Sequence, residues 1–222
     1  MTPGRDLTRG HPLVTDASMR RCLNACGLAA PILWASAVIV CGSRHPEYCH
    51  IRQYISDLAA RGSSTGHVMQ VAGFVLPGAA TAAFGVLLGL GATGRTAGVA
   101  GALVAVSGLS RAAAGVFAPD PPGNTGSPSF EQTMHNGAGM IYFLTLTLGV
   151  LAWAIASAIA SRRPWWLTWY SVVTVTAAVS APFALMGVGI ASPGDVGLFQ
   201  RVSLGVLNAW MLVCASLMLA HR

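Results

Sequence analysis

A chain of 222 residues that is 54% hydrophobic, 9% charged and free of lysine is too apolar for a soluble domain of this length. Its net charge of +6 comes from thirteen arginines spread singly or in pairs, without the dense basic face that nucleic-acid binding requires. The apolar runs are continuous and lack two-residue alternation, which excludes a β-barrel and leaves helices that cross a bilayer.

Residues 1–21 combine Gly, Pro, Thr and charge without apolar periodicity and are read as a flexible cytoplasmic tail; residues 22–222 form the membrane domain. The first apolar run is too long for a signal peptide and has no small-residue cleavage site after it. About 20 apolar residues span a bilayer core as helix. Six runs qualify: Leu23–Cys41, Val68–Leu90, Thr96–Phe117 with Arg111 inside it, Gly137–Ile159, Trp166–Ile190 and Phe199–Ala220, the last two joined by Ala191–Leu198. The expected fold is all-α, a six-helix transmembrane bundle with an amphipathic re-entrant or interfacial helix in the first outer loop.

An even number of spans puts both termini on one side. That side holds Arg5, Arg9, Arg20, Arg21, Arg95, Arg162, Arg163 and Arg222 against Arg44, Arg52, Arg61 and Arg201 on the other, so the arginine bias predicts cytoplasmic termini in the bacterial inner membrane. Glu47, Asp57, Asp120, Glu131 and Asp195 all fall on the outer side and mark it as the functional face. Cys22 and Cys26 pack on one helix, and Cys41 and Cys49 are close enough in sequence for a disulfide.

The first outer loop is the most chemically crowded stretch. Pro46 ends the first helix, and Ile51, Ile55 and Leu58 then recur at helical spacing until Gly62. On that helix Tyr54, Asp57 and Arg61 would share a stripe, with Asp57 and Arg61 able to pair. In the second outer loop three prolines stiffen the chain around Asp120, and Glu131 and His135 stand one helical turn apart. Arg111 lies roughly 9 Å below the end of its helix, a depth at which a charge seldom faces lipid, so Asp57 or Asp120 is its expected partner.

These spacings predict one polar cavity at the outer ends of the first four helices, holding His45, Asp57, Arg111, Asp120, Glu131 and His135. Glu47, His50, Arg52 and Asp195 sit where solvated loop charges sit. Packing accounts for Trp153, Trp210 and the mid-span Trp34, an aromatic belt for Trp165, Trp166 and Trp169, and an interfacial cap for His67. Pro31, Pro77 and Pro182 are expected to kink their helices, and the Gly and Ala of the second and third runs to pack them closely.

Four motifs carry a resemblance. HPEY (His45–Tyr48) after the first run, ISDLAARGS (Ile55–Ser63) before the second, GVFAPD (Gly115–Asp120) closing the third and MHN (Met134–Asn136) opening the fourth resemble the bacterial domain-of-unknown-function family 998. The resemblance covers roughly Ala25 to the C terminus and implies six-span membrane proteins. The chain is also similar in general look to small bacterial membrane terpene cyclases of indole- and peptide-terpenoid pathways.

That likeness implies a proton-initiated terpene cyclase, an enzyme for an apolar prenylated or lipid-linked substrate that needs no metal or other cofactor. It calls for an acid kept protonated, a dry cavity and aromatic faces near a developing cation. Asp57 and Asp120 are the candidate acids and His135 and Glu131 the final base or tuning groups. Arg111, His45, Tyr54, Trp34, Phe74, Tyr142 and Trp153 would bind and orient the substrate. Two alternatives use the same residues. In a lipid-headgroup hydrolase or transferase, His45, His135 and the acids would hold a divalent metal or supply a base. In a non-catalytic lipid-binding or scaffolding protein, Arg111 and Arg201 would pair with the loop acids, and Asn208 would bond between helices.

Overall fold

Apolar segments of this length can satisfy their backbone groups in lipid only as helix. The computed structural model describes residues 17–91, 94–160, 165–189 and 193–220, and within them forms six long helices and no strand. These are α1 (Ala17–Ser43), α2 (Gly66–Leu90), α3 (Arg95–Val116), α4 (Phe130–Ile159), α5 (Trp165–Gly189) and α6 (Val196–Ala220). Residues 1–16 of the expected tail, and the loop arginines Arg162 and Arg163, lie outside the described residues, as do the side chains of 182–189.

Six spans were expected. Among the described residues five helices are long and apolar enough to cross a membrane, namely α1 from Arg21, α2, α3, α4 and α6. The chain is thus a multi-pass membrane protein. Each helix packs on its neighbour in sequence, and α1 closes on α6, so the six form a ring. The interior is filled by Phe84, Leu88, Val104, Leu146, Val150 and Met211, with Trp153 set edge-on to Trp210 at 6.5 Å.

Small residues bring α2 and α3 into backbone contact, as their Gly and Ala content predicts. Gly78 lies against Ala112, Ala82 against Gly108, Gly85 against Ala105 and Gly89 against Gly101, a single antiparallel register along both helices. Side chains larger than methyl would separate the backbones, so dispersion contact between main chains replaces side-chain interdigitation here.

Pro77 does more than kink α2. It has no N–H to return to Gly73 four residues earlier, and the turn before it, Met69–Val75, widens into a π-helix in which the Leu76 N–H reaches back to Val71.

The first loop departs from expectation. In place of an amphipathic α-helix there is a single 3₁₀ turn, Ile55–Ala59, with Ile55, Leu58 and Ala59 buried. The loop backbone spends its groups on other elements. Ile55 N–H donates to Gln200 Oε1 at 2.7 Å, Arg61 N–H to the Pro119 carbonyl at 2.9 Å, and Ile51 C=O accepts from Leu198 N–H at 2.9 Å. An α-helix would have consumed those groups internally. Gly62 does stop the segment, at φ +79°. Cys41 and Cys49 are free thiols, not a disulfide.

Gly85→Leu should lower stability by about 1–3 kcal/mol, because a Cβ at Gly85 already falls 2.3 Å from the Ala105 nitrogen. Gly98→Leu, in α3 with nothing near its Cβ, should leave the melting temperature in detergent close to wild type. Equal melting of the two variants would refute the ladder.

Candidate functional site

The acids Glu47, Asp57, Asp120, Glu131 and Asp195 do gather at one end of the ring, in the loops before α2, α4 and α6 and the first turn of α4. They and their neighbours do not share one set of contacts. The structure sorts the expected site residues into three clusters, one where the two loops meet at Arg61, one where the first loop meets α6, and one among the helices themselves.

The second loop closes on Arg61. Its guanidinium donates to Asp120 Oδ1 and, at 2.8 Å, to Ser129 Oγ, and it lies 3.6 Å from Glu131. Asp120 Oδ2 also accepts from Ser129 N–H at 2.9 Å and Asn124 Nδ2 at 3.3 Å. Ser129 in turn caps α4 through the Gln132 N–H. The Ser129 bonds and then Arg61 favour the ionised form and hold the Asp120 carboxyl down to about 2. Asp120 is therefore a poor proton donor, and the expected pairing of Arg61 with Asp57 is replaced by pairing with Asp120 and Glu131.

The first loop fastens to α6 through Arg201, which donates to the Tyr48 hydroxyl, to the Gln53 carbonyl at 2.9 Å and to Gly197 C=O at 2.7 Å. Arg201 thus holds no loop acid. Tyr48 donates to the Tyr54 carbonyl at 2.8 Å, and burial pushes its phenol up to about 12. His45 packs near the Tyr48 ring at 6.2 Å. Asp57 sits beside this knot, where Oδ2 accepts from Tyr54 N–H at 3.0 Å and no cation among the described residues pairs with it. Burial raises its pKa, against the smaller opposing pull of that hydrogen bond and of Arg201.

The third cluster lies inside the helices. Arg111 is 2% exposed. Neither Asp57 nor Asp120 meets it; among the described residues no carboxylate pairs with it. It donates instead to the Gly73 carbonyl at 3.0 Å and, at 3.4 Å, to the Tyr142 hydroxyl. Its guanidinium lies 5.3 Å from the Tyr142 ring centre and 5.9 Å from that of Trp34. Gly73 is the carbonyl that Pro77 leaves short of a donor, so the arginine replaces the missing backbone bond.

Two turns nearer the loops on α4, His135 is buried against Phe74, with ring centres 5.5 Å apart. Its Nδ1 is 2.7 Å from Ala114 C=O and 3.1 Å from Phe117 C=O, carbonyls at the end of α3. Both are acceptors, so Nδ1 carries the proton and Nε2 is the nitrogen left for chemistry. Trp153 belongs to the core. Asn208 donates to Leu204 C=O within its own helix instead of across helices. Among the described residues no group of three His, Cys, Asp or Glu is placed to hold a metal. The sequence reading missed Tyr48, Gln200 and Ser129, and the Gly73 carbonyl, for which the glycine four residues before Pro77 was the available signal.

The arrangement ties a half-buried acid, a buried cation and a buried histidine to helices that ring an apolar core. The model of a family described as "Protein of unknown function (DUF998)" matches residues 28–217. The chain belongs to the DUF998 family. That span contains all three clusters, so the site described here lies within the region that defines the family. No curated protein and no solved structure matches the chain.

Two carboxylates at one end of the bundle should respond oppositely to pH. Asp120, depressed to about 2, contributes stability above the ordinary carboxylate range that is lost as pH falls through its folded value. Asp57, raised by burial, binds its proton more tightly when folded, so its charge opposes folding at neutral pH. Asp120→Asn should therefore melt below wild type at neutral pH and approach it in acid, while Asp57→Asn should melt at or above wild type. Detergent melting curves across acid pH check both signs.

Proposed function

We propose that this DUF998 protein is a membrane enzyme acting on an isoprenoid or lipid-linked substrate, most concretely a proton-initiated terpene cyclase with Asp57 as general acid. The observation that carries the reading is the environment of Asp57: a half-buried carboxyl, paired with no cation among the described residues, whose pKa burial raises. A general acid needs that shift, since its proton must remain in place near neutral pH. Asp120, ionised in its knot with Arg61 and Ser129, is assigned to holding the loop.

In this reading the Asp57 carboxyl protonates a terminal alkene or epoxide of a linear prenyl chain. Ring closure carries the positive charge along the chain. Loss of a proton from the carbon beside the last cation ends the reaction, so the product is an isomer of the substrate. His135 Nε2, the nitrogen not engaged with Ala114, is the candidate for that last proton. The wider arrangement proposed with it is six spans, α5 being the sixth, and cytoplasmic termini in the inner membrane, as the arginine bias implies. A second reading, lipid binding without catalysis, draws support from Arg111, a buried cation that binds carbonyl and ring faces and needs no reaction to be useful.

The test is mass spectrometry of extracts from bacterial cells expressing the protein and supplied with linear prenylated substrates and their epoxides. An isomer of unchanged mass is expected from wild type, reduced at least ~100-fold in Asp57→Asn at equal membrane level. Asp120→Asn should lose product only as far as it loses folded protein. No isomer from any substrate, with folded protein present, would sink the cyclase reading in favour of lipid binding.

A further inference from the structure

We infer that Arg111 is the binding site for an oxyanion, carboxylate or phosphate, carried at the head of a single apolar chain. The inference deepens the proposed function by naming the head group of its substrate or ligand class.

Arg111 sits five residues before the end of α3, about 8 Å along the helix axis. A guanidinium there stays charged, and it presents five N–H donors in one plane. Two of those donors are used, one for Gly73 C=O and one for a long bond to the Tyr142 hydroxyl. Trp34 and Tyr142 take up its cation–π contacts. The rest of the fork has no acceptor among the described residues.

The Tyr142 hydroxyl accepts from Arg111, so its own proton is free to donate to the same anion. A planar fork plus a phenol proton matches two oxygens of a carboxylate or phosphate. The elements around this cation argue for a chain behind the head. Phe84, Val104, Leu146 and Val150 are buried on the helices that carry Arg111, Tyr142 and the Gly73 carbonyl, in the same core cluster as Tyr142. A small hydrophilic anion would find mostly apolar side chains there, the buried hydroxyls of Thr81 and Ser107 donating to carbonyls of their own helices, whereas an apolar tail suits those surroundings. Trp34, only partly buried on α1, lies over the guanidinium and is the side chain that would move to admit a ligand.

Binding is measured by thermal shift of the full chain in neutral detergent, with matched pairs: farnesyl phosphate against farnesol and oleate against oleyl alcohol, with inorganic phosphate as the anion without a tail. The anionic member of at least one pair should bind wild type at least about tenfold more tightly than its alcohol. Inorganic phosphate should produce no comparable shift. Arg111→Met removes the fork, and with it the donor to the Gly73 carbonyl, and should bind acid and alcohol alike. Arg111→Lys keeps a charge without the fork and should lose most of the preference, which decides the matter if Arg111→Met fails to fold. Equal binding of acid and alcohol by wild type, or a phosphate shift as large as that of farnesyl phosphate, would overturn the inference. That result would leave cyclisation of neutral prenyl chains standing on product analysis, and the absence of a cyclised product would leave the anion site standing.

Discussion

The bond from Arg111 to the Gly73 carbonyl joins the two constraints on which the bundle depends. Pro77 takes a hydrogen bond out of α2, inside lipid, where an unpaired carbonyl cannot turn to water. Arg111 brings a charge into α3, where insertion costs about 3 kcal/mol. A charge-assisted hydrogen bond contributes about 1.5–3 kcal/mol and the contacts with Trp34 and Tyr142 about 0.5–2 kcal/mol each. Each defect is thus the remedy for the other. The small-residue ladder makes the exchange geometrically possible, since a wider spacing of α2 and α3 would carry the guanidinium away from the carbonyl.

The same logic of partners explains why the loop charges separate. A carboxylate in reach of backbone N–H groups and a guanidinium stays ionised; one that is half buried beside a single N–H is pushed the other way. Asp120 and Asp57 are the two cases, within loops joined by the Arg61 N–H to Pro119 bond. Arg61 goes to Asp120 because its own backbone is already fixed to that second loop. Asp57 is thereby left without a cation partner among the described residues.

Much of the fold is legible in the residues. Apolar runs longer than a bilayer is thick can form little except helices, and their order around the ring follows from short connections. Gly78, Gly85, Gly101 and Gly108 mark the close pair by their spacing alone. The first loop was misread for a physical reason: Ile51, Ile55 and Leu58 do bury an apolar face in part, but periodicity says nothing of tertiary acceptors such as Gln200 Oε1, which draw the backbone out of helix. Ion pairing was equally hidden. Sequence distance made Asp57 the natural partner of Arg61 and the acids the natural partners of Arg111, whereas carbonyls freed by a proline, or by a helix end as at Ala114, carry no letter of their own.

The location of His135 extends that point from folding to chemistry. A histidine at the end of a neighbouring helix would ordinarily be free to take either tautomer, and either nitrogen could serve as a base. Here the carbonyls of Ala114 and Phe117 fix the proton on Nδ1, and Phe74 fixes the plane of the ring. Since α3 carries both those carbonyls and Arg111, one helix sets the tautomer of the histidine and the position of the buried cation together. The helix opposite serves the same pair, since Gly73 of α2 offers the carbonyl that Arg111 takes and the adjoining Phe74 packs on the imidazole, so one meeting of α2 and α3 places both groups.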